Sequence, residues 1–214
     1  MDKMFDFELM KFNSTQVAEA TGVSAELQRN WRRYGFLKQE AGHARYDIFE
    51  IAEMWVLGAV GRFGIGPKLA KAYASDAAKY IAWWALKNDA GHEGDDSDRW
   101  KVPFSQYVKP NKSIGIGKKP TIGTEWAFRG KWIADQIVHG CEADGLDFPL
   151  YLVFENGSAF PADEARVPYF DPDRGVGGFI CLPLSDAAMR LISSLKAPLV
   201  KVSWHGDPVE VPKE

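Results

Sequence analysis

The sequence predicts an α+β protein, and three observations predict it. Two short helical patterns, each with its own start and stop signals, lie close together within residues 14–35. Two longer stretches of helical period follow at 48–62 and from 67 to about 87. The second half then mixes β-rich runs, PLYLVFE (149–155), GFICLPL (178–184) and LVKVSW (199–204), with further helical stretches at 125–139 and 186–195.

At 214 residues, the chain has room for one large domain or two modest ones. Its 46% hydrophobic and 26% charged residues are ordinary for a globular protein, and eight Trp provide material for a packed core. No apolar run approaches the length of a membrane span, and MDKMFDFELMK lacks the apolar stretch and cleavage site of a signal peptide. Cys141 and Cys181 are isolated, which suits two buried small hydrophobes in a reducing cytoplasm. No cysteine cluster with metal-ligand spacing is present.

The net charge of −3 conceals a pattern. Residues 27–46 carry Arg29, Arg32, Arg33, Lys38 and Arg45 against Glu40 alone. Residues 75–98 carry six acids and two bases, residues 99–132 eight bases and one acid, and residues 133–214 thirteen acids and six bases. Two basic blocks in an acidic chain mark where a phosphate backbone would dock.

Taken in order, residues 1–11 read as a short leader, extended or disordered. Ser14 caps TQVAEATG, with Val17 and Ala20 facing inward and Gly22 stopping the helix. Ser24 starts a second helix, AELQRNWRRYG, ending at Gly35. The tight spacing makes a helix-turn-helix. FLKQEAGHARYDI then reads as a two-stranded wing turning at Ala41-Gly42. The third helix repeats Ile48, Ile51, Ala52, Trp55 and Ala59, and the fourth repeats Leu69, Tyr73, Ala77, Tyr80, Ile81 and Trp84. The acidic, Gly-containing segment 89–98 reads as a linker between domain 1–88 and domain 99–214. In the second domain, Glu155-Asn156-Gly157-Ser158 signals a hairpin, and Ser185 is placed to cap the last helix.

A helix-turn-helix reads DNA with its second helix in the major groove. At 100° per residue, Leu27, Trp31 and Tyr34 share an inward face, while Ala25 and Arg29 point away, flanked by Arg32 and Arg33. Guanidinium groups pair with guanine or clamp phosphate. Ala25 permits close approach, and the Ser24-capped N-terminus suits a phosphate.

The run STQVAEATGVSAELQRNWRRYGFL resembles the opening of MerR-type regulators: Thr21-Gly22-Val23-Ser24, then Arg29, Trp31 and Gly35-Phe36-Leu37. Gly42-His43-Ala44-Arg45-Tyr46 is similar to the end of the family's wing, and Gly64-Ile65 to the joint between its next two helices. The resemblance covers residues 13–74. It implies a winged helix that binds double-stranded DNA through Ser24, Ala25, Gln28, Arg29, Arg32, Arg33, His43, Arg45 and Tyr46, acting as a homodimer. The chain departs from the pattern at Gln28, where the family usually has Leu; at Asn30-Trp31, in place of a Tyr pair; at Arg32, in place of Glu; and at Ala44, where the wing Arg normally stands. A dimerisation helix could only be 67–87, whose apolar face could equally pack on its own domain.

Lys109, Lys112, Lys118 and Lys119, interleaved with aromatics in the 99–132 block, offer a secondary DNA contact, or else a solvated basic loop. Ser113-Ile-Gly-Ile-Gly-Lys-Lys-Pro lacks the spacing and the Ser/Thr of a phosphate loop. His43, His92, His139 and His205 are scattered, and no catalytic set or cofactor site can be argued from spacing. The expectation is a cytoplasmic transcription regulator and not an enzyme. Its rivals are an architectural DNA-binding protein of phage or mobile-element type (excisionase or small terminase), and an adaptor whose winged helix binds protein.

Overall fold

The computed structural model describes residues 5–39, 44–94, 122–139, 146–155, 157–163 and 178–204. It is a mixed α+β fold. Strand β1 (Phe5–Leu9) leads into β2 (Phe12–Asn13), followed by helices α1 (Ser14–Thr21) and α2 (Ala25–Arg33). Strand β3 (Arg45–Tyr46) precedes α3 (Ile48–Gly61) and α4 (Pro67–Lys87). A 3-10 turn (Asp89–Gly91) and β4 (His92–Gly94) come next, then α5 (Ile122–His139), β5 (Leu150–Phe154), β6 (Ala159–Ala162), β7 (Phe179–Pro183), α6 (Leu184–Leu195) and β8 (Val200–Trp204).

Local chemistry accounts for the helix ends. Asn13, and not Ser14, is the N-cap of α1: its side chain accepts from the Thr15 and Gln16 amides, and Gln16 returns a bond to the Asn13 amide. Asp47 and Glu50 form the same reciprocal box on α3. Gly22 closes α1 at φ 75°. The last helix starts two residues earlier than expected, at Leu184, with no side-chain cap, so Ser185 lies inside it.

The segment expected as a linker is structured where it is described. Residues 92–94 pair in parallel with 200–202, and β1 pairs antiparallel with the other edge of β8, giving the sheet order β1-β8-β4. These pairings join residues on both sides of the segment 89–98 expected as a linker. The chain's first strand is completed by its last, and one continuous apolar core runs from Phe12 to Val202.

The physical reason lies in α4. Ala70, Tyr73, Ala74, Ala77, Ala78, Ile81, Ala82, Trp83, Ala85 and Leu86 are all buried, and α3, α5 and α6 pack around them. The small residues let neighbours approach closely. A Cβ on Gly130 of α5 would collide with the Lys87 carbonyl, and one on Gly91 with the Ala85 carbonyl. Polar ties reinforce the seam. Trp83 Nε1 donates to Asp135 at 2.6 Å, Lys131 donates to the same carboxylate at 2.6 Å, and Trp84 Nε1 donates to the Phe148 carbonyl at 2.9 Å. Tyr151 donates to Asp76 at 2.9 Å, and burial, with Asp76 beside it, pushes its phenol well above the ordinary range. Of the apolar face expected to serve either dimerisation or self-packing, Tyr73, Ala77, Tyr80, Ile81 and Trp84 pack within the chain's own core, whereas Leu69, in the first turn of α4, is exposed.

The second sheet, β6-β5-β7, is antiparallel, with Gly157 at φ 83° in the expected hairpin turn. Cys181, expected to be buried, is exposed on β7, and burial of its surroundings still pushes its thiol up. Cys141 lies outside the described residues.

Candidate nucleic-acid interface

The turn between α1 and α2 is built from a short set of contacts. Thr21 Oγ1 donates to the Val17 carbonyl at 2.7 Å and accepts from the Val23 amide at 3.1 Å, which fixes the turn after α1. Val23 is buried against α3, whose Gly58 lies so close that an added Cβ would meet Val23 Cγ2 at 2.9 Å. Ser24 then caps α2 by accepting from the Leu27 amide at 3.2 Å.

Helix α2 ends in a Schellman arrangement. Gly35, at φ 73°, donates to the Arg32 carbonyl at 3.0 Å, and the Phe36 amide donates to the Trp31 carbonyl at 2.8 Å. Trp31 is buried, as its helical position predicts.

The expected site residues divide into three groups. Ser24, Arg29, Arg33 and Arg45 are exposed and Ala25 is half-buried; all five are reachable from solvent. Arg33 lies over the Tyr34 ring at 4.8 Å and donates to its hydroxyl at 3.1 Å, so the two project together from the helix end.

A second group is not at the surface. Gln28 is 0% exposed. Its amide donates to the Ser14 carbonyl at 3.0 Å and the Val23 carbonyl at 2.8 Å, binding α2 to the start of α1 and to the turn. Burial explains why this position suits an apolar residue, and it corrects the expectation that Gln28 touches DNA. Tyr46 is also buried, because β3 pairs with β2 and turns its ring into the core, with its hydroxyl unpartnered. Arg32 is half-buried with its guanidinium 5.8 Å from the Tyr46 ring centroid, so it joins α2 to β3.

The third group, His43 with Lys109, Lys112, Lys118 and Lys119, lies outside the described residues.

The wing differs from expectation. Residues 36–39 form turn and loop, and β3 takes Phe12–Asn13 as its partner in place of a strand at 36–39. The cause is local: the Schellman turn at Gly35 directs Phe36 and Leu37 back toward α2, where Leu37 is buried. Tyr34, expected inside, is 63% exposed because it is the C-cap residue and leaves the helical direction. Leu27 is 39% exposed.

The exposed basic surface extends further than the motif suggested. Lys71 of α4 donates to the Gly35 carbonyl, placing the start of α4 beside the end of α2. That contact is not visible in a helical pattern, since it joins residues 36 positions apart. Among the described residues, no group of three or more His, Cys, Asp or Glu side chains could hold a metal, and no helix is long and apolar enough to cross a membrane.

No protein-family model matches the chain, and no curated protein matches it significantly.

Proposed function

We propose that the protein is a cytoplasmic, sequence-specific regulator of transcription that binds double-stranded DNA, with α2 entering the major groove. The observation that carries this reading is the face of α2 and β3. Arg29, Arg33 and Arg45 are exposed on a short helix and strand fixed by the caps and turn described above, and the small Ala25 leaves room for approach. Rigid presentation matters because a bidentate Arg–guanine pair discriminates by about 1–3 kcal/mol only when its geometry is held. Arg32 acts in this reading as a brace between recognition helix and wing strand. The MerR-type resemblance at Thr21–Ser24 and Gly35–Leu37 falls on the residues that make the turn and the helix end. A homodimer bound to a two-fold-symmetric site is part of the proposal.

A second reading, an architectural DNA-binding protein of phage or mobile-element type, has one observation in its favour. The apolar face of α4 from Ala70 to Leu86 is occupied within the chain, so the described residues offer no long free helix for dimerisation.

Selection of bound duplexes from a random pool, followed by footprinting on the enriched sequence, tests both readings. One discrete protected site with two-fold symmetry supports the regulator. Extended protection with strong bending supports the architectural protein. No enrichment at low salt contradicts both.

A further inference from the structure

The two most exposed large apolar side chains among the described residues flank one turn. Phe63 is 66% and Leu69 is 70% exposed, on either side of the Gly64–Pro67 turn that joins α3 to α4. Ile65, between them, packs against the core, which fixes the turn and holds its neighbours outward. The turn is also tied by backbone bonds from the Phe63 and Ile65 amides to the Val60 carbonyl at 2.9 and 3.3 Å. Exposed apolar tips on a fixed turn are an unusual use of surface, since they gain nothing from water.

Along the chain, the charge beside them has one sign. From Met54 to Ser75 the chain has no Asp or Glu, and it carries Arg62, Lys68 and Lys71. Lys71 is engaged with the Gly35 carbonyl. Among the described residues, neither Arg62 nor Lys68 has an ion-pair partner. Two apolar anchors rimmed by unpaired cations are complementary to acidic residues alternating with large apolar ones.

We infer that the α3–α4 turn is a docking surface for an acidic, amphipathic segment of another protein, with Phe63 and Leu69 as anchors and Arg62 and Lys68 as its charge partners. A second copy of this chain is disfavoured, because two such turns meeting face to face would bring like charges together. A DNA backbone is disfavoured because phosphates make no use of Phe63 and Leu69. This inference stands apart from the DNA-binding reading, and either can fail without the other.

The test is selection from a displayed library of random twelve-residue peptides on the immobilised full-length protein. Phe63→Ser/Leu69→Ser serves as the counter-target; both side chains are mostly in solvent, so the variant keeps the parent's circular dichroism spectrum and melting temperature. The expected result is enrichment of peptides with net negative charge and one or two large apolar residues. Their affinity should fall roughly tenfold or more for Phe63→Ser/Leu69→Ser, the loss typical of an anchor pair, and also for Arg62→Glu/Lys68→Glu. Enriched peptides that are neutral or basic, or that bind both variants like the parent, would overturn the inference. So would loss of duplex DNA binding in Phe63→Ser/Leu69→Ser, which would make the turn a DNA contact, or conversion of a dimer to a monomer in sedimentation, which would make it a self-association surface.

Discussion

Among individual residues, side-chain type and helical position disagree at three places, and each has a physical cause. Gln28 looks like surface because it is polar, yet its amide satisfies two carbonyls inside the turn. Only the tertiary placement of Ser14 and Val23 reveals this. Gln28→Ala should leave both carbonyls without their buried donor and destabilise by about 1–3 kcal/mol, measured by urea unfolding. A stability equal to the parent would mean the amide is not structural. Tyr46 looks like a wing contact because of its neighbours, but its ring is core and its hydroxyl is buried without a partner. Tyr46→Phe should therefore leave both DNA affinity and melting temperature unchanged or slightly raised; a clear fall in affinity would return the hydroxyl to the interface. Tyr34 looks internal because helical spacing continues through it, but the helix ends there. Trp31 was readable, since it lies mid-helix on the apolar side. Its truncation to Ala should cost on the order of 3–5 kcal/mol, and a variant that melts like the parent would show that it is not core.

At the level of elements, helices were more legible than their relations. The 48–62 and 67–87 periods correspond to α3 and α4 to within a residue or so, because both are long and strongly patterned. The N-cap of α1 moved from Ser14 to Asn13 since both residue types can cap, and Gln16 completes the box only with Asn13. Asp47→Ala should lower stability by about 1 kcal/mol through loss of the α3 cap, read as a shift in the denaturation midpoint with unchanged slope. Hairpin signals describe neighbours in sequence, whereas β3 pairs with residues that precede both helices. For the same reason the segment 89–94 looked like a tether. Its acidity and glycines describe solvent exposure, and its pairing depends on a strand more than a hundred residues later. Gly130→Ala should destabilise by about 1–3 kcal/mol through overpacking against Lys87, although a helix interior ordinarily gains from Ala. Stabilisation by this change would contradict the close approach of α4 and α5.

For the whole molecule, α+β composition is legible in the sequence, and the strand pairings that cross residue 90 are not. Composition and charge do change near residue 90, but β8 joins the first strand to the middle of the chain and α4 serves both halves. Denaturant unfolding followed by tryptophan fluorescence and by far-ultraviolet circular dichroism should give coincident single transitions; two separated transitions would restore the two-domain picture. The central claim concerns DNA, and the most direct measurement is the salt dependence of binding to a selected duplex by the full chain and by Arg29→Ala/Arg33→Ala, followed by fluorescence anisotropy from about 50 to 200 mM salt. The account predicts that the variant keeps the parent's fold, loses affinity, and shows a log–log slope shallower by about 0.9 for each phosphate contact removed. A variant that binds with the parent's affinity and slope, or a parent that binds no duplex even at the lowest salt, would contradict it.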